Sequence, residues 1–187
     1  GEIILNETCF YAEMGGQVAD KGIIKSNNFE ATVANVSKAP NGQHLLYVKV
    51  LEGEVSKGDT ILTHVLKEKR LAIMKNHSSA HLLQKSLQEL LGSSVHQAGS
   101  KVDERVLRFD FSYQGKLSDE LILKLEGLVN DRIEAGFETN IEFMSLEDAK
   151  KKGAMALFSD KYGDTVRVVT MGDSIELCAG THVVNTK

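Results

Sequence analysis

With 187 residues, 22 Lys and Arg against 26 Asp and Glu, and a net charge of −4, the chain can bury a real core but lacks the basic surplus of a free-standing nucleic-acid binder. Two cysteines, Cys9 and Cys178, give no disulfide framework and point to a reducing cytoplasm. No apolar run reaches membrane-span length, no signal peptide is visible, and the chain opens on Gly1-Glu2 without a methionine, as a piece of a longer protein would.

Residues 1–65 read as a β-rich subdomain. Ile3 to Leu5, Gly22 to Lys25, Glu30 to Val36, His44 to Leu51 and Thr60 to Val65 are rich in β-branched and aromatic residues. Asn27-Asn28, Asn41-Gly42 and Gly58-Asp59 are turn signals between them. Short strands at regular spacing predict a small barrel. Between the first two strands lies Phe10-Tyr11-Ala12-Glu13-Met14-Gly15-Gly16-Gln17. Its Gly-Gly pair either exposes amides that could meet a phosphate or sugar, or forms a plain β-turn.

Residues 66–187 change period. From Lys67 to Leu91, apolar residues at Leu71, Met74, Leu82, Leu83, Leu87, Leu90 and Leu91 recur mostly at three and four. That spacing predicts a long helix stopped at Gly92, about 37 Å in length. Its first half carries Lys67, Lys69, Arg70 and Lys75, a solvated face or a guide for a polyanion. Val95 to Val102 and Val106 to Ser112 read as a strand pair, with Leu107, Phe109 and Phe111 expected to face a core. Ser118 opens a second amphipathic helix to about Ala135, with Leu121, Leu125 and Leu128 on one stripe. A strand at Thr139 to Phe143 follows. Ser145 and Asp148 then cap a short helix, and Thr165 to Thr170 with Ser174 to Cys178 form a hairpin. The predicted class is α+β: a small barrel-like subdomain, then a two-layer α/β core with a mostly antiparallel sheet and one long ligand-bearing helix.

The chemistry concentrates in two stretches. In Asn76-His77-Ser78-Ser79-Ala80-His81 the histidines stand at i and i+4, on one helix face. Cys178-Ala179-Gly180-Thr181-His182 repeats the interval after a strand-like run. Two histidines, a cysteine and another histidine suit zinc. A metalloprotease helix would place glutamate after the first histidine; Ser78 stands there instead. The plain alternative is four unconnected residues, with His77 and His81 lining a polar face. His44, His64 and His96 read as surface or satisfied histidines.

The segments Phe10-Tyr11-Ala12-Glu13-x-Gly15-Gly16-Gln17, Asn76-His77-x-x-x-His81-Leu82-Leu83, Gln97-x-Gly99-Ser100 and Leu107-Arg108-Phe109-Asp110-Phe111 occur in this order. They are followed by Gly153-Ala154-Met155-Ala156-Leu157-Phe158, Lys161-Tyr162-Gly163, Val166-Arg167-Val168-Val169 and Glu176-Leu177-Cys178-x-Gly180-Thr181-His182. Together they resemble the editing domain of alanyl-tRNA synthetases, related to free-standing alanyl-tRNA editing proteins and to the editing domain of threonyl-tRNA synthetase. The resemblance implies hydrolysis of tRNA(Ala) mischarged with serine or glycine, sparing the alanyl ester, in the cytoplasm. It implies Zn2+ on His77, His81, Cys178 and His182, with His182 the ligand expected to be displaced or distant. It places Gln97 in the editing pocket, with the Ser79 hydroxyl beside it as a second catalytic candidate. Gly15, Gly16, Gln17, Ala80, Lys161 and Arg167 are the expected substrate contacts. The implied partners are the mischarged 3′ end of tRNA(Ala) and the rest of a synthetase chain in cis. Two positions depart from the family pattern: Ala80 where threonine is common, and Ala179 in place of the first glycine of Cys-Gly-Gly-Thr-His. A free-standing deacylase acting in trans and a non-catalytic, zinc-stabilised tRNA-binding module remain the alternatives.

Overall fold

The computed structural model describes residues 1–155 and 163–187. Five strands, β1 (Glu2–Ile4), β2 (Gly22–Ser26), β3 (Phe29–Lys38), β4 (His44–Gly53) and β5 (Leu62–Val65), form one antiparallel sheet in the order β1-β4-β3-β2-β5. Alternation sends Ile24, Ala31, Val33, Leu46 and Val48 to one face, where Phe10 and Phe29 complete a core. The expected barrel is not closed: β1 and β5 lie at opposite edges, among the described residues, and with three and four residues they offer little to pair.

Helix α1 (Lys67–Leu91) covers the predicted span and stops at Gly92, whose φ of 106° a side chain would disfavour. The ribbon β6 (Gln97–Val102) and β7 (Leu107–Phe111) lies beside it. Leu107, Phe109 and Phe111 do alternate, but they are half-buried and outside the main cores. A two-strand ribbon has no second layer of its own to cover them. Ser118 caps α2 (Asp119–Glu134) by accepting from the Leu121 amide, and the Leu121, Leu125 and Leu128 stripe is half-buried. Then come β8 (Thr139–Ser145), α3 (Leu146–Lys151), β9 (Thr165–Met171) and β10 (Ser174–Leu177), the three strands pairing antiparallel as β10-β9-β8.

Strand β9 is buried on both faces. Val166 and Val168 pack with Ala149 of α3 on one side; Val169 and Met171 pack with Leu82 of α1 and with Val129 and Ile133 of α2 on the other. The class is therefore α+β with antiparallel sheets and, among the described residues, three helices.

An ion pair couples the first sheet to the start of α1. Arg70 Nε donates to Asp20 Oδ1 at 2.8 Å, Nη2 donates to the other carboxylate oxygen, and Asp20 also accepts from the Tyr11 amide at 2.6 Å. The hydrogen bond to Asp20 holds the guanidinium pKa above its ordinary value. Two cations of the expected polyanion guide are therefore engaged: Arg70 here, and Lys69 with Glu104 at 3.2 Å. Replacing Arg70 with methionine leaves the buried Asp20 carboxylate without its countercharge. We expect a loss of about 3 kcal/mol, read as a lower denaturation midpoint in urea.

Candidate metal centre

One helix and one loop build the centre. Helix α1 presents His77 and His81 one turn apart, both buried. The segment after β10 brings Cys178 and His182 against them, so that the four ligand atoms lie within 4.8 Å of one another. His182 Nε2 is 3.3 Å from Cys178 Sγ, and His77 Nε2 is 3.5 Å from it. A tetrahedral zinc site with bonds of about 2.3 Å to sulfur and about 2.0 Å to nitrogen separates these atoms by about 3.5 Å. The expectation that His182 stands apart is not what the geometry gives; its Nε2 comes closer to the sulfur than His77 Nε2 does.

Each imidazole is oriented through Nδ1. His77 Nδ1 donates to Gln17 Oε1 at 2.6 Å, and His81 Nδ1 lies 2.8 Å from Glu176 Oε2. His182 Nδ1 lies 3.3 Å from Ser78 Oγ, which also accepts from the Val183 amide. These contacts leave Nε2 of each ring as the ligand atom, the arrangement by which outer groups fix tautomer and ring orientation at metal sites. Both His81 nitrogens are buried without a hydrogen bond, the 2.8 Å approach of Nδ1 to Glu176 being an ionic contact, and a metal ion on Nε2 would relieve the cost at that atom. Burial raises the Cys178 pKa, but the three imidazoles lower it further, leaving it well below the ordinary thiol value; the Gly180 amide also donates to Sγ at 3.3 Å. Burial pushes His182 down to about 4. Burial likewise disfavours a charged His81, yet Glu176 and the Cys178 sulfur outweigh it and lift that pKa to about 10. A cysteine sulfur and three imidazole nitrogens in one largely buried cluster are a donor set for zinc.

Gln17 is wholly buried and closes the cradle from the segment between β1 and β2. Its Oε1 accepts from His77 and from the Thr181 amide, and its Nε2 donates to Thr181 Oγ1 at 2.9 Å. Gly15 and Gly16, at φ 59° and 82°, form the two-residue turn between Met14 and Gln17. Gly16 lies against Ser100, whose hydroxyl accepts from Gln97 Nε2 at 2.9 Å. Ser79 is half-buried and Ala80 buried on α1. Arg167 Nη1 donates to the carbonyls of Cys178 and Gly180 at 2.6 and 3.0 Å and so braces the ligand loop. Lys161 lies outside the described residues, as do residues 156–158 and Tyr162 of the family-like segments. His44, His64 and His96 take no part in the cluster.

Residues 1–69 match the family model described as tRNA synthetases class II (A), and residues 166–187 match the threonyl and alanyl tRNA synthetase second additional domain. Across 99% of its length the chain is 53% identical to an alanine–tRNA ligase of Halalkalibacterium halodurans. It is 50% identical to one from Bacillus pumilus and 51% identical to one from Listeria monocytogenes, again over 99% of the chain. The chain belongs to the alanine–tRNA ligase family. It spans about a fifth of the length of these curated relatives, 21% in each case.

In this member of the alanine–tRNA ligase family, sequence reasoning missed the supporting roles of Ser78, Glu176 and Thr181. Glu176 had a legible signal, since it stands two residues before Cys178 in a strand and so shares its face. Ser78, three residues before His81 on the helix, lies on the same side as the ligands. Thr181 had none: its partner is 164 residues away.

The electrostatics give a test of the centre. Without metal, His81 carries its proton at pH 7, because its pKa is lifted above that pH, while Cys178 is held well below the ordinary thiol value. Zinc loading near pH 7 should therefore release about one proton from His81 and should weaken as the pH falls. Calorimetric titrations of the metal-free protein in buffers of different ionisation enthalpy read this release; a heat independent of the buffer would contradict the assignment.

Proposed function

We propose that this chain is the editing module of an alanine–tRNA ligase, hydrolysing the ester of tRNA(Ala) mischarged with serine or glycine and leaving the alanyl ester. The observation that carries the reading is the buried His77, His81, Cys178 and His182 cluster, with each imidazole oriented from outside, in a chain about half identical to those ligases. Residues 1–65 and 66–187 act as two units in this reading, joined where Gln17 reaches the ligands and Asp20 reaches Arg70. The partners are the mischarged 3′ end and the rest of the synthetase in cis, in the cytoplasm.

The four ligand residues would hold Zn2+, which when bound polarises a carbonyl and eases deprotonation of water. The protein supplies placement. Gln17, Glu176 and Ser78 fix the three rings, and Arg167 holds the backbone that carries Cys178. Tyr11 donates its hydroxyl to the Met14 carbonyl at 3.0 Å, and burial raises its pKa, so it stays a neutral donor. Gln97 and Ser79 are the proposed contacts to the ester and to the serine hydroxyl. Gly15, Gly16, Ala80, Lys161 and Arg167 complete the proposed substrate surface, with Gln17 reaching it only through His77. A site that hydrogen-bonds the serine hydroxyl disfavours alanine, because its buried polar groups would go unpaired.

One observation favours a second reading. Four protein ligands within 4.8 Å can close a tetrahedral site, which is the structural form of zinc binding. In that case the metal staples a tRNA-binding module and performs no hydrolysis. Accumulation of Ser-tRNA(Ala) by the full synthetase, with and without Gln97→Ala, tests the editing reading. We expect the variant to accumulate the seryl product while retaining its zinc. Equal accumulation with no net hydrolysis in either protein would favour the staple.

A further inference from the structure

Phe143 stands out among the apolar side chains. It is 71% exposed, on β8, which has no strand on its outer side among the described residues. An exposed aromatic on a sheet edge invites unwanted association unless something uses it. Register shows which face it occupies. Phe143 pairs with Arg167 of β9, and the Cys178 amide in turn donates to the Arg167 carbonyl at 3.1 Å. Directly opposed residues in paired strands project to the same face. In the adjoining row, Glu176 pairs with Val169 and Val169 with Ile141, and Glu176 is the residue that orients His81. Phe143 and Ile141 therefore share the sheet face of the metal cluster. The row from Cys178 through Arg167 to Phe143 crosses two strand spacings, about 10 Å.

We propose that Phe143 is the stacking platform for the 3′-terminal nucleobase of the aminoacyl-tRNA. This rests on the editing reading, which puts the ester at the cluster and so puts the terminal base within a nucleoside's length of it. Unpaired bases at RNA ends are held by stacking on aromatic rings and guanidinium planes. Here the ring comes from Phe143; Arg167, opposite it in the register, turns its guanidinium to the Cys178 and Gly180 carbonyls and holds the neighbouring loop. Ile141, 42% exposed, extends the apolar floor. The competing occupant is another part of the synthetase chain. The base is favoured because Phe143 lies on the sheet face of the cluster and in one row with Cys178, which packing against protein would not require.

The test uses a tRNA(Ala) acceptor minihelix carrying 2-aminopurine as its 3′-terminal base, titrated with the full synthetase in its zinc-loaded form. Stacking should quench the fluorescence with the native protein and with Phe143→Trp, and Phe143→Ala should abolish the quench. In hydrolysis of Ser-tRNA(Ala), Phe143→Ala should raise KM about tenfold at unchanged kcat and zinc content. Serine methyl ester, which has no base, should be hydrolysed equally by both proteins. A quench that survives Phe143→Ala, or an unchanged KM together with a lower melting temperature of the synthetase, would overturn the proposal; the second result would identify a packing surface for the rest of the chain. Quenching without any seryl hydrolysis would overturn the editing reading and leave the stacking platform standing.

Discussion

Replacing Cys178 with alanine should strip the protein of zinc and abolish hydrolysis of Ser-tRNA(Ala). The sulfur is the only anionic donor in the cluster and the atom that His77 and His182 both approach within 3.5 Å. Without it, three buried imidazoles would have to hold a divalent cation alone. Losing a supporting partner of a metal ligand typically lowers affinity by about 10–100-fold, and losing the thiolate itself should exceed that range. Glu176→Gln and Gln17→Leu should fall within it, because each removes an orienting group and leaves all four donors. Metal content after dialysis against a weak chelator orders the variants. If Cys178→Ala retained zinc as firmly as Glu176→Gln, Cys178 would not be a ligand.

Gly180→Ala should do comparable damage with a single methyl group. A Cβ there would fall inside van der Waals contact with Cε1 and Nδ1 of His77 and 3.0 Å from Gln17 Oε1. Neither neighbour can yield. His77 is fixed on α1 with its Nδ1 bonded to Gln17, and the buried Gln17 holds three hydrogen bonds. The ligand loop must move instead, and it carries Cys178 two residues before Gly180 and His182 two residues after. Overpacking of this kind costs about 1–3 kcal/mol. We expect at least about a tenfold loss of zinc affinity as well, the order seen when ligand orientation fails. Ala179→Gly is the control, since Ala179 is exposed and its change should leave zinc binding alone. Equal zinc affinity in Gly180→Ala and the native protein would contradict the close packing.

These two variants show what the sequence could and could not disclose. The candidate ligand cluster was legible because i, i+4 histidines on a periodic helix and a cysteine just beyond a strand are local signals. The bounds of α1 were legible for the same reason, with Gly92 as a stop. Ala179 was visible as a departure from the family pattern, yet the glycine next to it is the one under steric constraint. That constraint comes from His77, about a hundred residues earlier in the chain, and no local pattern encodes it. Gln17 was read as part of a substrate-facing turn because Gly15-Gly16 marks a turn wherever it occurs. Its side chain is drawn inside by partners far along the chain. The closed barrel was over-read from strand spacing, which reports how many strands form but not whether the outermost two meet. Arg167 was taken for a substrate contact from its charge, and at least one arm of its guanidinium braces the ligand loop.

The most direct test of the account is the rate at which the zinc-loaded chain hydrolyses Ser-tRNA(Ala) compared with Ala-tRNA(Ala), measured with and without a chelator. The account predicts rapid loss of the seryl ester, little loss of the alanyl ester, and collapse of the seryl rate when zinc is withdrawn from a protein that stays folded. A seryl rate unchanged by removal of the metal would contradict it, as would equal hydrolysis of the two esters.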